Sequence, residues 1–168
     1  MTAMYDSSVP VFVHFLKSLS AILKKAEAHA AARKIAPEVL VNYRLAPDMY
    51  PLSRQVQIAS DAAKGAGARL SGAAVPSYPD DEKSFEELQA RIAKTIAFLE
   101  GLPKEQFEGA ESRAVSLKAG GREMNFVGAA YLETWAKPNF YFHLTTAYAI
   151  LRHAGVELGK PDFLAGGA

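Results

Sequence analysis

The chain has no cysteine. Disulfides, thiolate nucleophiles and zinc centres built on sulfur are excluded by that count alone, and any reactive thiol must arrive with a substrate. It also lacks a block of like charge. Nineteen basic residues stand against eighteen acidic ones, a formal charge of +1, so neither a nucleic-acid footprint nor an acidic partner is expected. No stretch reaches the roughly twenty apolar residues that span a bilayer. The opening "MTAMYDSSVPVFVHFLKSLS" is interrupted by Asp6, His14 and Lys17, and no small-residue cleavage site follows a continuous apolar run. The expectation is a soluble, cytoplasmic protein with no membrane partner.

What is present is a helical period. At 168 residues the chain is the length of one domain, 1–168, able to bury a core without metal or disulfide support. Phe12, Phe15, Leu16, Leu19, Ile22, Leu23, Ala26 and Ala30 recur at spacings of three and four, the signature of a long amphipathic helix. Asp6, Ser7 and Ser8 offer caps before it, and the stretch Lys34 to Pro37 ends it, since proline removes a donor and restricts its predecessor. A short helical turn is expected from Pro37 to Asn42. A second stripe runs through Leu52, Val56, Ala59, Ala63, Ala66 and Leu70, with Pro51 suited to a first turn and Gly65 and Gly67 suggesting close helix approach. After the turn-rich "SGAAVPSYPDDEK", Ser84 and Glu87 form a capping box before Phe85, Leu88, Ile92, Ile96 and Leu99, and this third helix stops near Gly101 to Pro103. Glu87 and Arg91, four apart, read as a solvated pair on its surface.

Between Arg113 and Val127 the period becomes two. Val115 and Leu117 on one side and Met124 and Phe126 on the other flank the turn Gly120-Gly121, which predicts a hairpin pairing Val115 with Phe126 and Leu117 with Met124, one apolar face lying on the helices. Pro138 then reads as the start of the last helix and Gly155 as its stop.

Four histidines are the candidate ligands or bases. In "NFYFHLTTAYAILRHAG" His143 and His153 would lie about 15 Å apart along one helix axis, too far to share an ion. Phe140, Leu144, Ala147, Tyr148 and Leu151 define the core face, with His143 at its edge and His153 nearly opposite, beside a helix C-terminus where a cation is favoured. His14 and His29 fall off the stripe of the first helix and read as surface or boundary residues. His143 alone stands beside the core, either as a hydrogen-bonded core side chain or as a functional one.

The stretches "MYDSSVPVFVHFLKSLSAILKKAEAHA", "RLAPDMYPLSRQVQIASDAAKGAGARL" and "NFYFHLTTAYAILRHAGVELGKPDFL" resemble a bacterial family of unknown function placed with the DinB/YfiT-like four-helix bundles. The likeness covers essentially the whole chain. It implies an all-α domain, a four-helix up-and-down bundle with one longer crossover carrying the small β-hairpin before the last helix. The wider superfamily is one of metalloenzymes, some of them thiol-dependent transferases, with one histidine on the second helix and a His-x-x-x-His pair on the fourth; a homodimer is also implied. Two imidazoles one turn apart can bind one ion. Here His143 matches the first of the pair, Ala147 replaces the second, and the second-helix position falls at Gln55 or Gln57, with the stripe favouring Gln55.

A neutral amide is a poor ligand for zinc or nickel beside imidazole or thiolate. His143 with Gln55 would need a carboxylate, for which Asp48 and Asp61 are nearest in sequence; Asp48 reads as a cap of the second helix and Asp61 as solvated. The leading expectation is therefore a degenerate, non-metal pocket between the second and fourth long helices, lined by Gln55, Tyr141, His143 and Tyr148 and binding a small molecule. The aromatics serve equally as core. One alternative is a metal-dependent thiol or group transferase using zinc or nickel, with His143 as ligand beside Gln55 or Asp48. Another is a dimeric interaction module whose alanine- and glycine-rich second helix packs on a symmetry mate. Substrate and reaction are not legible, and whether the chain is an enzyme turns on His143.

Overall fold

The computed structural model describes residues 3–167. Eight α-helices and one hairpin follow in order: α1 (Ala3–Asp6), α2 (Val9–Arg33), α3 (Pro37–Val41), α4 (Leu52–Ser71), α5 (Phe85–Glu100), β1 (Ala114–Ala119), β2 (Arg122–Val127), α6 (Gly128–Tyr131), α7 (Lys137–His153) and α8 (Lys160–Leu164), with a 3-10 turn at Lys104–Phe107. The chain is mostly helical, with a single two-stranded antiparallel sheet among the described residues. No helix among them is long and apolar enough to cross a membrane.

The apolar stripe of α2 is buried as its spacing requires, Phe12, Leu16, Leu19, Ile22, Leu23, Ala26 and Ala30 all lying in the core. Ser8 stands at its N-cap but makes no forward cap; its hydroxyl donates back to the Met4 carbonyl. The helix ends on Lys34, which takes the left-handed conformation at φ 55° and returns its N–H to the last turn. Helix α5 begins with the expected capping box: Ser84 Oγ accepts from the Glu87 N–H and Glu87 Oε2 accepts from the Ser84 N–H, each at 3.2 Å.

Helix α4 is the centre of the molecule. It packs on α7 along one side and on α5 along the other, while α2 packs on α5 and carries α8. Its small residues permit that closeness. A Cβ on Gly67 would lie 2.6 Å from Leu99 Cδ2 and 2.9 Å from Leu102 Cδ1, so any larger residue would force both leucines to shift. Because both sides are covered, α4 buries not only Val56, Ala59, Ala63 and Ala66 but also Gln55, Gln57, Ser60 and Lys64.

The hairpin has the register its alternation predicts, Val115 opposite Phe126 and Leu117 opposite Met124. Gly120 and Gly121 both have positive φ, 55° and 76°, as a two-residue hairpin turn with the sheet's own twist demands. Val115 is buried, and Phe126 lies 6.0 Å, centroid to centroid, from both Tyr131 and Trp135.

The last long helix differs from the expectation at its start. Pro138 stands in the first turn of α7, as expected, but the helical path does not begin there. Helical structure starts at Gly128 and reaches α7 through a π-turn at Leu132–Ala136, which places Pro138 inside. A proline ring within a helix crowds the carbonyl four residues back, here Thr134, and a wider turn relieves that crowding. Side chains serve the disturbed carbonyls: Asn139 Nδ2 donates to Trp135 (2.8 Å) and Thr134 Oγ1 to Ala130 (2.7 Å). Beyond His153, Gly155 at φ 92° supplies the expected stop.

Candidate functional site

Gln55 enters α4 in its first turn and is 1% exposed, facing α7. A buried amide must satisfy both ends. Its Nε2 donates to the Tyr50 carbonyl at 3.0 Å, and its Oε1 lies 2.7 Å from His143 Nδ1. The first contact fixes the second, because a carbonyl can only accept. The Gln55 amide nitrogen must therefore face Tyr50, its oxygen must face His143, and His143 must present Nδ1 as N–H. The neutral imidazole then carries its lone pair on Nε2. This nitrogen has no hydrogen-bond partner among the described residues, on a side chain that is only half-buried.

Burial, reinforced by the positive charge of Arg54, holds the His143 pKa below the ordinary histidine value. The ring is therefore an oriented, neutral imidazole at neutral pH, able to accept a hydrogen bond or a proton through one nitrogen. Arg54 precedes Gln55 and lies over the Tyr50 ring, 5.8 Å from guanidinium carbon to centroid. Tyr50 and Phe142 are 57% and 58% exposed, and the Phe142 ring stands edge-on to that of His143 at 5.1 Å.

The other expected site residues do not join this pair. Tyr141 lies about 200° around the helix from His143, and Tyr148 about 140°. Tyr141 packs edge-on against Phe15 of α2 at 5.3 Å, and Tyr148 against Phe163 of α8 at 6.3 Å. Burial, with a smaller push from Glu133, raises the Tyr141 pKa. Asp48 is exposed in the loop before α4 and does not cap it: Pro51 holds the N-cap position, and the Leu52 N–H is taken by the Tyr43 carbonyl at 2.9 Å. His14 is exposed and bonds the Leu164 carbonyl at 2.8 Å, and His153 is exposed beside Tyr43.

The superfamily's metal finds a poor set of donors here. Among the described residues no three His, Cys, Asp or Glu side chains lie close enough to hold one ion. Ala147, one turn after His143, is fully buried and offers no donor, and the Gln55 oxygen already accepts from the imidazole. The residues present do not fit a catalytic metal, which takes three protein ligands and an open position.

Sequence reasoning missed the polar cluster on the opposite side of α4. Arg91 is not a surface partner of Glu87 but is 3% exposed. Its Nη1 donates to the Pro79 carbonyl and to Glu82, both at 2.9 Å, and its Nη2 pairs with Asp61 at 2.9 Å and Asp80 at 3.0 Å. Asp61 is likewise more than a solvated acid, since it also holds Lys64 at 2.8 Å. Burial opposes the charge of Arg91, yet the Glu82 hydrogen bond and the three carboxylates outweigh it and carry the pKa above the ordinary guanidinium value. The one hint in the sequence was the acidic run "PDDE" in the connection after α4, of which Asp80 and Glu82 reach Arg91.

Residues 4–164 match the family described as "Domain of unknown function (DUF1993)". Among solved structures, the chain is similar to the crystal structure of a DinB family member protein from Shewanella denitrificans. The two are 44% identical with a TM-score of 0.86, over 95% of this chain and 90% of that one. No functionally curated protein matches the chain.

Proposed function

We propose, for a chain that belongs to the DUF1993 family, that it is a non-metal DinB-like protein which binds a small molecule at His143. The observation that carries this reading is the relay from the Tyr50 carbonyl through Gln55 to His143 Nδ1. An imidazole held in one tautomer, kept neutral and left with an unpartnered lone pair suits a ligand carrying an O–H, N–H or S–H group. Arg54, one residue from Gln55 and paired with Asp80 at 2.6 Å, adds positive charge near the ring. Gln55 acts in this reading as the group that orients the imidazole, and Tyr141 and Tyr148 hold α7 against α2 and α8. The architecture is read as one domain over 1–168, with α2, α4, α5 and α7 as a four-helix up-and-down bundle.

The test is the protonation of the ring. Long-range proton–nitrogen NMR on His143 should show Nδ1 protonated and Nε2 bare at neutral pH, and Gln55→Leu should abolish that preference. A ring protonated at Nε2 in the native protein would refute the relay.

A metal-dependent group transferase remains the second reading, since a ligating histidine also donates its other N–H to an orienting acceptor. Cytoplasmic residence and a homodimer belong to the same proposal. The glycines of α4 pack within the chain, so a dimer would use another surface. A monomer by sedimentation at micromolar concentration would exclude that dimer.

A further inference from the structure

The connection from α4 to α5 lies over the groove between these two helices. Among the described residues, 73–83 make no backbone-to-backbone hydrogen bond. Side chains hold them. Asp80 bonds Arg54 at 2.6 Å and Arg91 at 3.0 Å, and Glu82 bonds Arg91 and Gln57, each at 2.9 Å. The Tyr78 ring is within cation–π distance of two ammonium groups, Lys64 at 3.9 Å and Lys94 at 4.2 Å from its centroid. Without this strap the groove would present Arg54, Lys64, Arg91 and Lys94, with Asp61 the one helix carboxylate bonded to any of them among the described residues. Beside it lies a cavity of about 470 Å³ whose lining mixes Arg91, Lys83 and Lys94 with the strap acids Asp81 and Glu82 and with Glu87. The Nε–H of buried Arg91 has no hydrogen-bond partner among the described residues.

Arg91 is buried while residues 73–83 cover it, balanced there by Asp61, Asp80 and Glu82; a lifted strap leaves the four cations with Asp61 alone, so an added anion that takes the places of Asp80 and Glu82 favours the lifted state. We propose that the α4–α5 groove is an anion site held shut by the chain's own Asp80 and Glu82. A small multivalent anion, of the phosphate or polycarboxylate kind, displaces them as residues 73–83 swing out and the helices stay folded. This inference goes beyond the reading of His143 and does not depend on it.

Cleavage after Glu82 by a glutamate-specific protease reports the opening directly, because the enzyme must take a side chain that is 11% exposed and doubly bonded. Pyrophosphate is the probe, at ionic strength matched with sodium chloride, and a free peptide of residues 77–88 corrects for effects on the protease. Pyrophosphate should speed cleavage at this bond roughly tenfold over matched chloride, saturably, with helical circular dichroism unchanged. Asp80→Asn should cleave faster without pyrophosphate. Arg91→Met should lose the pyrophosphate response, and Lys94→Ala, at an exposed position, should weaken it without a loss of fold. Equal rates in pyrophosphate and chloride would overturn the anion site. Cleavage after Glu86 and Glu87 at the same rate as after Glu82 would mean general unfolding and would overturn the strap motion.

Discussion

Gln55 and Gln57 stand two residues apart on α4, about 200° around its axis, and both are buried, at 1% and 4% exposure. They serve opposite kinds of polar interior. Gln55 sits in a neutral chain of two hydrogen bonds that ends on an imidazole with one nitrogen to spare. Gln57 sits among ions, accepting from Arg54 at 3.2 Å and donating to Glu82, which is bonded to Arg91. A neutral relay costs little to bury and transmits orientation; a charge cluster is costly to bury, and it is stable only while its members remain together. The α7 side of α4 therefore sets the geometry of one reactive atom, and the α5 side decides whether a whole connection lies down.

The sharpest test of that contrast removes one member from each side. Arg91→Met leaves Asp61, Asp80 and Glu82 facing one another without their shared cation and should cost about 3 kcal/mol in denaturant unfolding. The partial exposure of Asp61 and Asp80 keeps the figure at the low end of the usual range for a broken buried pair. Gln55→Leu should cost less, about 1 kcal/mol, since only two neutral hydrogen bonds are lost and half-buried His143 can turn to water. Equal losses in the two variants would mean that α4 is indifferent to the kind of polarity it buries.

A smaller effect separates the two sides by pH. The folded pKa of His143 lies below 6.5, its value in the open chain. Between those two pKa values the unfolded state binds more protons than the folded one, so stability rises with pH across that window and is level above it. Falling pH thus weakens the protein from about 6.5 downward until the folded pKa is passed. His143→Gln should remove this part of the slope and leave the rest, as read from unfolding free energies at closely spaced pH. An unchanged slope in the variant would mean that His143 does not sense its burial.

The difference between the two sides also explains what could be read in advance. The helices and the hairpin register follow from periodicity and turn chemistry, which are local: Ser84 with Glu87, Gly120 with Gly121, and the stripe of α2 each specify their own geometry. The pairing of Gln55 with His143 was within reach because both lie at the core edge of helices that pack on one another. The Arg91 cluster was not. Its acids come from a connection without periodicity, and a helical wheel drawn for α5 alone puts Arg91 in water, where it would be if residues 73–83 lay elsewhere. The π-turn before Pro138 escaped for a related reason, because a proline that starts a helix and one that a widened turn accommodates look alike in sequence.

The smallest expected effect is none at all, and it concerns metal at the neutral side. Catalytic zinc usually takes three protein ligands, and of the three imidazoles that the superfamily resemblance implies two are absent, with Ala147 at one position and Gln55 or Gln57 at the other. The Gln55 oxygen is committed to the Nδ1 proton of His143, which leaves Nε2 as a single donor. A site with one ligand should lose most of the affinity of three. Purified protein should then carry clearly less than one equivalent of transition metal. Chelator should leave the melting temperature where it was, and added zinc or nickel should not raise it, because binding to a native site adds stability through linkage and weak binding adds none. His143→Ala should cost about 1 kcal/mol for the lost hydrogen bond and leave the metal response unaltered. Stoichiometric metal in the protein as isolated, lost together with stability on chelation and absent from His143→Ala, would turn the relay from Tyr50 to His143 into the outer support of a metal ligand and reverse the functional reading.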